Sequence, residues 1–282
     1  MSIFNAGSRM WRCALRLFGL GSLLLIVAVP QLGAAEKEDF DAYKIRFDGF
    51  WFYAQPSGDI ETKGHGGTVN FQSDIGFSRY STFTGRVDWK FTRKNHLFFA
   101  ATPFSRSRQF VTNRTITFQG QTFNVGLKTT GSLQVNAYAP GYQYDVIRRK
   151  RGHLGLVAQL DLFDTNATLN ATAQVTNTGA QSAAVFATGS LRAPIPVAGP
   201  DIRFYLTNSP RLFVTANVLG MYFFGYGNFV STLDTLGLSV TKHISARAGY
   251  QLGSRLNVNT KTTRLGLSLT QQGPIVGAEV SF

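Results

Sequence analysis

Apolar and polar side chains alternate with a period of two along much of this 282-residue chain. Between Tyr43 and Gln55, Ile45, Phe47, Gly49, Trp51 and Tyr53 share one face, while Lys44, Arg46, Asp48, Phe50 and Phe52 share the other. That is the period of a strand. The division is sharper from Ser81 to Thr92, with Phe83, Val87, Trp89 and Phe91 set against Arg86, Asp88 and Lys90. It returns at Leu154, Leu156, Leu160 and Leu162 against Gln159 and Asp161, and at Ile202, Phe204 and Leu206 against Asp201 and Arg203. Leu212, Val214 and Val218 oppose Thr215 and Asn217, and Ile244, Ala246 and Tyr250 oppose Ser245 and Arg247. An apolar outside in lipid and a wet inside produce such a pattern. After residue 35 no apolar run reaches the roughly 18 residues of a transmembrane helix, so a bilayer would be crossed by strands.

Connections between these segments fall into two lengths. Short polar joints lie at Arg93–His96, Arg148–His153, Thr207–Arg211 and Thr241–His243, and long ones near 56–80, 109–130, 164–194, 226–232 and 254–262. Four short turns and five long loops, with both termini on the short-turn side, give ten strands. The expected architecture is all-β, a transmembrane antiparallel up-and-down β-barrel of about ten strands within a range of about 8–12. One feature strains it. Leu265, Leu267 and Leu269 have odd parity, whereas Val276, Ala278 and Val280 have even parity. If all face lipid, a bulge near Gln272-Gly273-Pro274 shifts the register; a turn there would make eleven strands. Phe118–Phe123 reads as a hairpin tip turned by Gly120.

The chain ends within a strand, on Phe282, and Val276, Ala278, Val280 and Phe282 form its lipid face. With Thr84–Lys90, Gly120–Gly126, Gly141–Val146 and the Gly273-Pro274 ending, this resembles bacterial outer-membrane β-barrel proteins in the style of OmpA-like and OmpW-like small barrels. The resemblance implies the barrel fold, an outer-membrane location and Phe282 as part of the signal read by the barrel-assembly machinery. It implies little about activity.

Arg9, Arg12 and Arg16 precede an apolar run from Leu17 to Val29, followed by Gly33-Ala34-Ala35. This is the layout of a secretory signal peptide over residues 1–35, cleaved after Ala35, leaving 36–282 as one barrel domain. Cys13 is the one cysteine, so the exported portion has no thiol for disulfides or thiol catalysis.

The chain carries a formal net charge of +13, about +10 once the three signal arginines are removed. Arg148, Arg149, Lys150 and Arg151 form a basic turn expected on the periplasmic side against anionic outer-membrane lipids. Strand parity puts Lys44, Arg46, Arg86, Lys90, Arg203, Arg247 and Arg264 in the lumen with Asp48, Asp88, Asp145, Asp161, Asp201 and Glu279. Near-balanced charges of this kind can either bridge and fill a narrow barrel or line a path for polar solutes. Nucleic-acid binding is not expected of an exported membrane chain.

Catalytic signals are weak. His96, His153 and His243 fall at short turns, where they read as interfacial polar residues; only His65 lies in a long loop, near Asp59 and Asp74. No metal, phosphate or nucleophile motif is present, so no catalytic, metal or cofactor residues are assigned. The expected function is non-enzymatic: a structural role, or a narrow porin-like conductance for ions or polar solutes. The alternative is an outer-leaflet lipid or peptide hydrolase, and the fold-level fallback is a secreted soluble β-sandwich.

Overall fold

A computed structural model describes residues 39–62, 67–171, 184–208, 211–223, 227–259 and 265–282. The expected signal peptide, His65 and Arg264 lie outside the described residues. The strands are β1 (Ile45–Thr62), β2 (Gly67–Asn70), β3 (Tyr80–Lys90), β4 (Asn95–Val111), β5 (Ile116–Phe118), β6 (Gln121–Phe123), β7 (Lys128–Arg149), β8 (Gly152–Ala171), β9 (Val185–Tyr205), β10 (Arg211–Phe223), β11 (Gly227–Ser239), β12 (Ile244–Asn259) and β13 (Leu265–Ser281).

Ten of these form the wall in the order β13-β12-β11-β10-β9-β8-β7-β4-β3-β1, and an antiparallel β1–β13 pairing closes it. The first and last strands meet there: the Phe282 amide donates to the Ile45 carbonyl at 2.9 Å. β2 adds to the far end of β1. β5 and β6 form a separate hairpin at 116–123, as the sequence anticipated. Its two central residues, Gln119 and Gly120, have φ of 52° and 77°, the paired positive φ of a tight hairpin turn.

β7, β8 and β9 run to 22, 20 and 21 residues, about twice what a tilted strand needs to cross a bilayer. Their side chains show where the membrane ends. Toward the short turns, the outer face of β7 and β8 exposes Tyr138, Tyr142, Tyr144, Val146, Leu156, Leu160 and Leu162. Further up, the same outer face carries Gln134, Asn136, Asp164, Asn166, Thr168 and Asn170. The inner face does the reverse. It holds Asp145 and Asp161 below, and buried Leu133, Val135, Ala167 and Leu169 above. The lower half is a membrane barrel with lipid outside; the upper half stands in water and packs an apolar core like a soluble barrel.

This inversion resolves the parity of the last strand, and it corrects the expected bulge. β13 pairs with β1 in one register from Thr62–Leu265 to Arg46–Ser281, with odd residues inward from Leu267 to Glu279. Leu267 and Leu269 are buried in the upper core, beside Ile275, whereas Val276 is exposed on the outer face. No register shift is needed, because the apolar face changes sides where the strand leaves the bilayer. The irregularity falls on β12 instead, between Gln251 and Ser254. Among the described residues, 109–111, 128–130, 164–171, 185–194 and 254–259 of the expected long connections are strand.

The upper core joins Phe52, Ile60, Phe71, Phe104, Phe118, Phe123, Leu133, Leu191 and Ile195, so the β5–β6 hairpin and the segment after β2 cap the barrel from within. Pro194 and Pro196 of β9 lie opposite Leu162 and Leu160, where the ladder to β8 continues but the β9–β10 ladder stops at Ala198–Gly220. Proline cannot donate to a ladder, which suits a strand edge left unpaired.

Candidate functional site

Interior charge concentrates in the lower half. Three wall positions repeat one device. Gly141, Gly237 and Gly277 sit directly opposite Phe98, Phe213 and Phe50 on adjoining strands. A Cβ on these glycines would fall 2.2 to 2.5 Å from the facing ring, so only glycine lets the phenylalanine lie flat against the wall. Arg86, Arg203 and Arg247 then stack on the rings, their guanidinium carbons 3.9, 4.0 and 4.7 Å from the ring centres. Each cation–π contact is worth about 0.5–2 kcal/mol, and together they aim three guanidiniums into the lumen.

Carboxylates meet them there. Arg203 makes a two-point contact with Glu279, at 2.9 and 2.6 Å. Arg247 bonds Asp48 at 2.8 Å and the hydroxyls of Thr215 and Thr235. Asp88 accepts from Arg86 at 2.8 Å and from Tyr43 at 3.0 Å, with Arg46 at 3.6 Å. Six cations (Arg46, Arg86, Lys90, Arg148, Arg203, Arg247) thus face six carboxylates (Asp41, Asp48, Asp88, Asp145, Asp201, Glu279), and buried charges require such pairing.

The N-terminal segment before β1 completes this layer. Asp41 is buried among Lys90 at 3.3 Å, Arg148 at 3.2 Å and His153 at 3.0 Å. Arg46 and Arg203 lie 3.8 and 3.7 Å away. Phe40 packs edge-on against Tyr205. Residues 39–44 therefore close the short-turn mouth.

His96 and His153 are corrected from interfacial to fully interior residues. His96 lies 3.1 Å from both Asp88 and Asp145, one on each ring nitrogen. His153 lies between Asp41 and Asp201 at 3.0 and 2.9 Å. His243 is exposed at its turn.

The expected lumen residues divide. Arg46, Asp48, Arg86, Asp88, Lys90, Asp145, Asp201, Arg203, Arg247 and Glu279 come together in the network. Asp161 is interior but apart, bonded to Gln159 at 2.6 Å. Lys44 is a correction: it precedes β1, so strand parity does not govern it, and it is exposed. The basic turn also divides. Arg149 and Lys150 are exposed and Arg151 bonds Asn208 at 2.8 Å. Arg148 is not free for headgroups, because Asp39, Asp41 and Asp145 draw its side chain inside. The sequence missed Asp41, Tyr43, His96, His153 and Arg148. The first two precede the first strand, and the others sit at strand ends where alternation is shortest.

Above the membrane, Asp74 is held by Arg114 and by the Asn70 amide at 2.7 Å. Burial pushes the Asp74 carboxyl up, but the Arg114 hydrogen bonds, the Asn70 amide and the Arg114 charge outweigh it and hold the carboxyl below its usual range.

No protein-family model matches the chain, and no curated protein matches it in sequence. Among solved structures, the outer membrane protease OmpT from Escherichia coli is similar with a TM-score of 0.52 and 10% identity, over 89% of this chain and 99% of that one. The toluene transporter TodX of Pseudomonas putida gives 0.38 at 10% identity, over 86% and 91%. Ail, the attachment invasion locus protein of Yersinia pestis, gives 0.35 at 8%, over 85% and 99%. The OmpT likeness is one of fold, shared with the closed antiparallel wall seen here. The chain has the fold of a bacterial outer-membrane β-barrel.

Proposed function

We propose that this protein is a non-conducting, non-enzymatic outer-membrane scaffold whose working surface is the water-exposed upper barrel. The observation that carries this reading is the doubly filled interior: an apolar core above, and a charge-matched layer above a mouth closed by residues 39–44. Two cavities among the described residues have volumes of about 30 and 10 Å³, each with room for a water or two.

The hydrolase alternative fares less well. The acids and histidines of the network gather at the short-turn end, which is periplasmic in outer-membrane barrels. An outer-leaflet hydrolase needs them at the opposite rim.

Single-channel recording on refolded protein in planar bilayers tests the reading. The expected trace is flat, with no stable ion steps across a wide voltage range. Reproducible open steps would replace it with the narrow-conductance alternative.

A further inference from the structure

β3 and β4 are joined by backbone pairing only from Gly85–Ala101 down to Lys90–His96. Above that point Tyr80–Thr84 remains paired to β1, and Thr102–Val111 to β7. Between them no ladder is formed among the described residues. The split is closed by side chains: Thr84 Oγ1 lies 3.0 Å from Thr102 Oγ1, and the Thr82 hydroxyl donates to the Pro103 carbonyl.

Its height and lining are specific. The split opens where the outer face changes from apolar to polar, with Phe99 exposed below it, Phe83 exposed at its lower edge, and Ser81 and Ser105 further up its edges. Behind it lies the 30 Å³ cavity, lined by Tyr80, Thr82, Thr102, Phe104, Leu269 and Gln271 among others. The Tyr80 ring is 2% exposed and packs 4.3 Å from Phe104, and its hydroxyl is buried without a hydrogen-bond partner. An unmet buried hydroxyl costs about 1–3 kcal/mol. The Arg106 guanidinium stands 5.9 Å from the centre of the same ring. Arg79 adjoins Tyr80 in the chain, and neither arginine joins an ion pair among the described residues.

We propose that this split is a lateral docking site for a single-chain anionic amphiphile of the fatty-acid class. The carboxylate enters the cavity, accepts the Tyr80 hydroxyl proton in a hydrogen bond and lies beside Arg106. The hydrocarbon chain stays in the outer leaflet along Phe83 and Phe99. The small cavity suits a headgroup and excludes a chain. A buried carboxylate is tolerated where it is paired and hydrogen-bonded, which Tyr80 and Arg106 provide. This goes beyond the scaffold reading and does not require a pore.

The test uses fluorescent cis-parinaric acid titrated into the refolded Cys13→Ser chain in phosphatidylcholine nanodiscs. Saturable binding is expected, weakened about tenfold in Tyr80→Phe and in Arg106→Gln, as for loss of one bond to a charged group. The methyl ester of the same chain should bind as weakly. Thr84→Cys with Thr102→Cys, once oxidised, should staple the split and abolish binding, and reductant should restore it. Nanodiscs containing a phosphorylated glycolipid separate the two sources of an anionic headgroup: full competition by that lipid would reassign the site. Absence of saturable binding, equal binding of acid and ester, or equal binding by oxidised and reduced forms would overturn the proposal. Where the stapled variant fails to fold, the two point variants decide.

Discussion

Arg203 on β9 and Glu279 on β13 bridge the lumen with two hydrogen bonds, at 2.9 and 2.6 Å, between strands separated by three others in the wall. Both side chains are at most 5% exposed. Removing one partner strands the other as a buried charge. Glu279→Ala is expected to cost about 3–5 kcal/mol, whereas Arg203→Met combined with Glu279→Leu should recover much of it. Urea unfolding in vesicles checks this, and a single variant as stable as wild type would contradict it.

The glycine positions give a sharper local prediction. A valine at Gly237 cannot coexist with the Phe213 ring lying over that site. Displacing the ring also removes the surface on which Arg203 stacks. Gly237→Val should destabilise by about 1–3 kcal/mol through overpacking, and Phe213→Leu in the same chain should relieve part of that loss. The coupling of the two changes is the measurement.

Two arginine substitutions separate the halves of the barrel. Leu160→Arg, on the lower outer face, should cost about 2–4 kcal/mol if near the midplane. Gln134→Arg, on the upper outer face, should stay within about 0.5 kcal/mol, as surface changes in water do. Equal costs would mean that the bilayer covers both positions.

The Asp74–Arg114 anchor gives a pH dependence. Its carboxyl sits below the ordinary value of 3.8 in the folded protein, so its contribution is present above that value and fades as pH falls through the lower folded value. Proteolytic protection of the 71–77 segment should be unchanged from pH 7 to 5 and drop only in stronger acid. Asp74→Asn should remove that acid transition. The transition is small, because Arg114 is about half exposed and its ion pair is screened.

At the C-terminus, Phe282 is 64% exposed and stacks on the His243 ring. So exposed a ring contributes less than the roughly 1.5–3 kcal/mol of full burial. Deleting it should therefore leave refolded stability nearly intact while reducing insertion in cells, where the resemblance assigns it to assembly. Equal amounts of inserted protein with and without Phe282 would remove that role.

Much of the lower barrel was legible in the sequence, because one face meets lipid and the other meets charge. Parity places Trp51, Trp89, Leu156, Leu160 and Val214 outside, and the structure exposes the first four and leaves Val214 half-buried. The upper half misled because it has the same period with opposite polarity: Leu267 and Leu269 look lipid-facing until the water outside is known. His96 and His153 were unreadable for another reason. Their partners Asp41, Asp88, Asp145 and Asp201 lie as far as 112 positions away in the chain, and the pairing of neighbouring strands, with the segment before β1 folded against them, brings them together.

Spin labels along β13 test the inversion most directly. Labels at Val276 and Ala278 should be relaxed by oxygen dissolved in the bilayer, labels at Ser268 and Thr270 by a water-soluble nickel complex, and labels at Leu267 and Leu269 by neither. Strong oxygen relaxation at Leu267 and Leu269 would show that these leucines face lipid, and would contradict an upper barrel packed in water around its own apolar core.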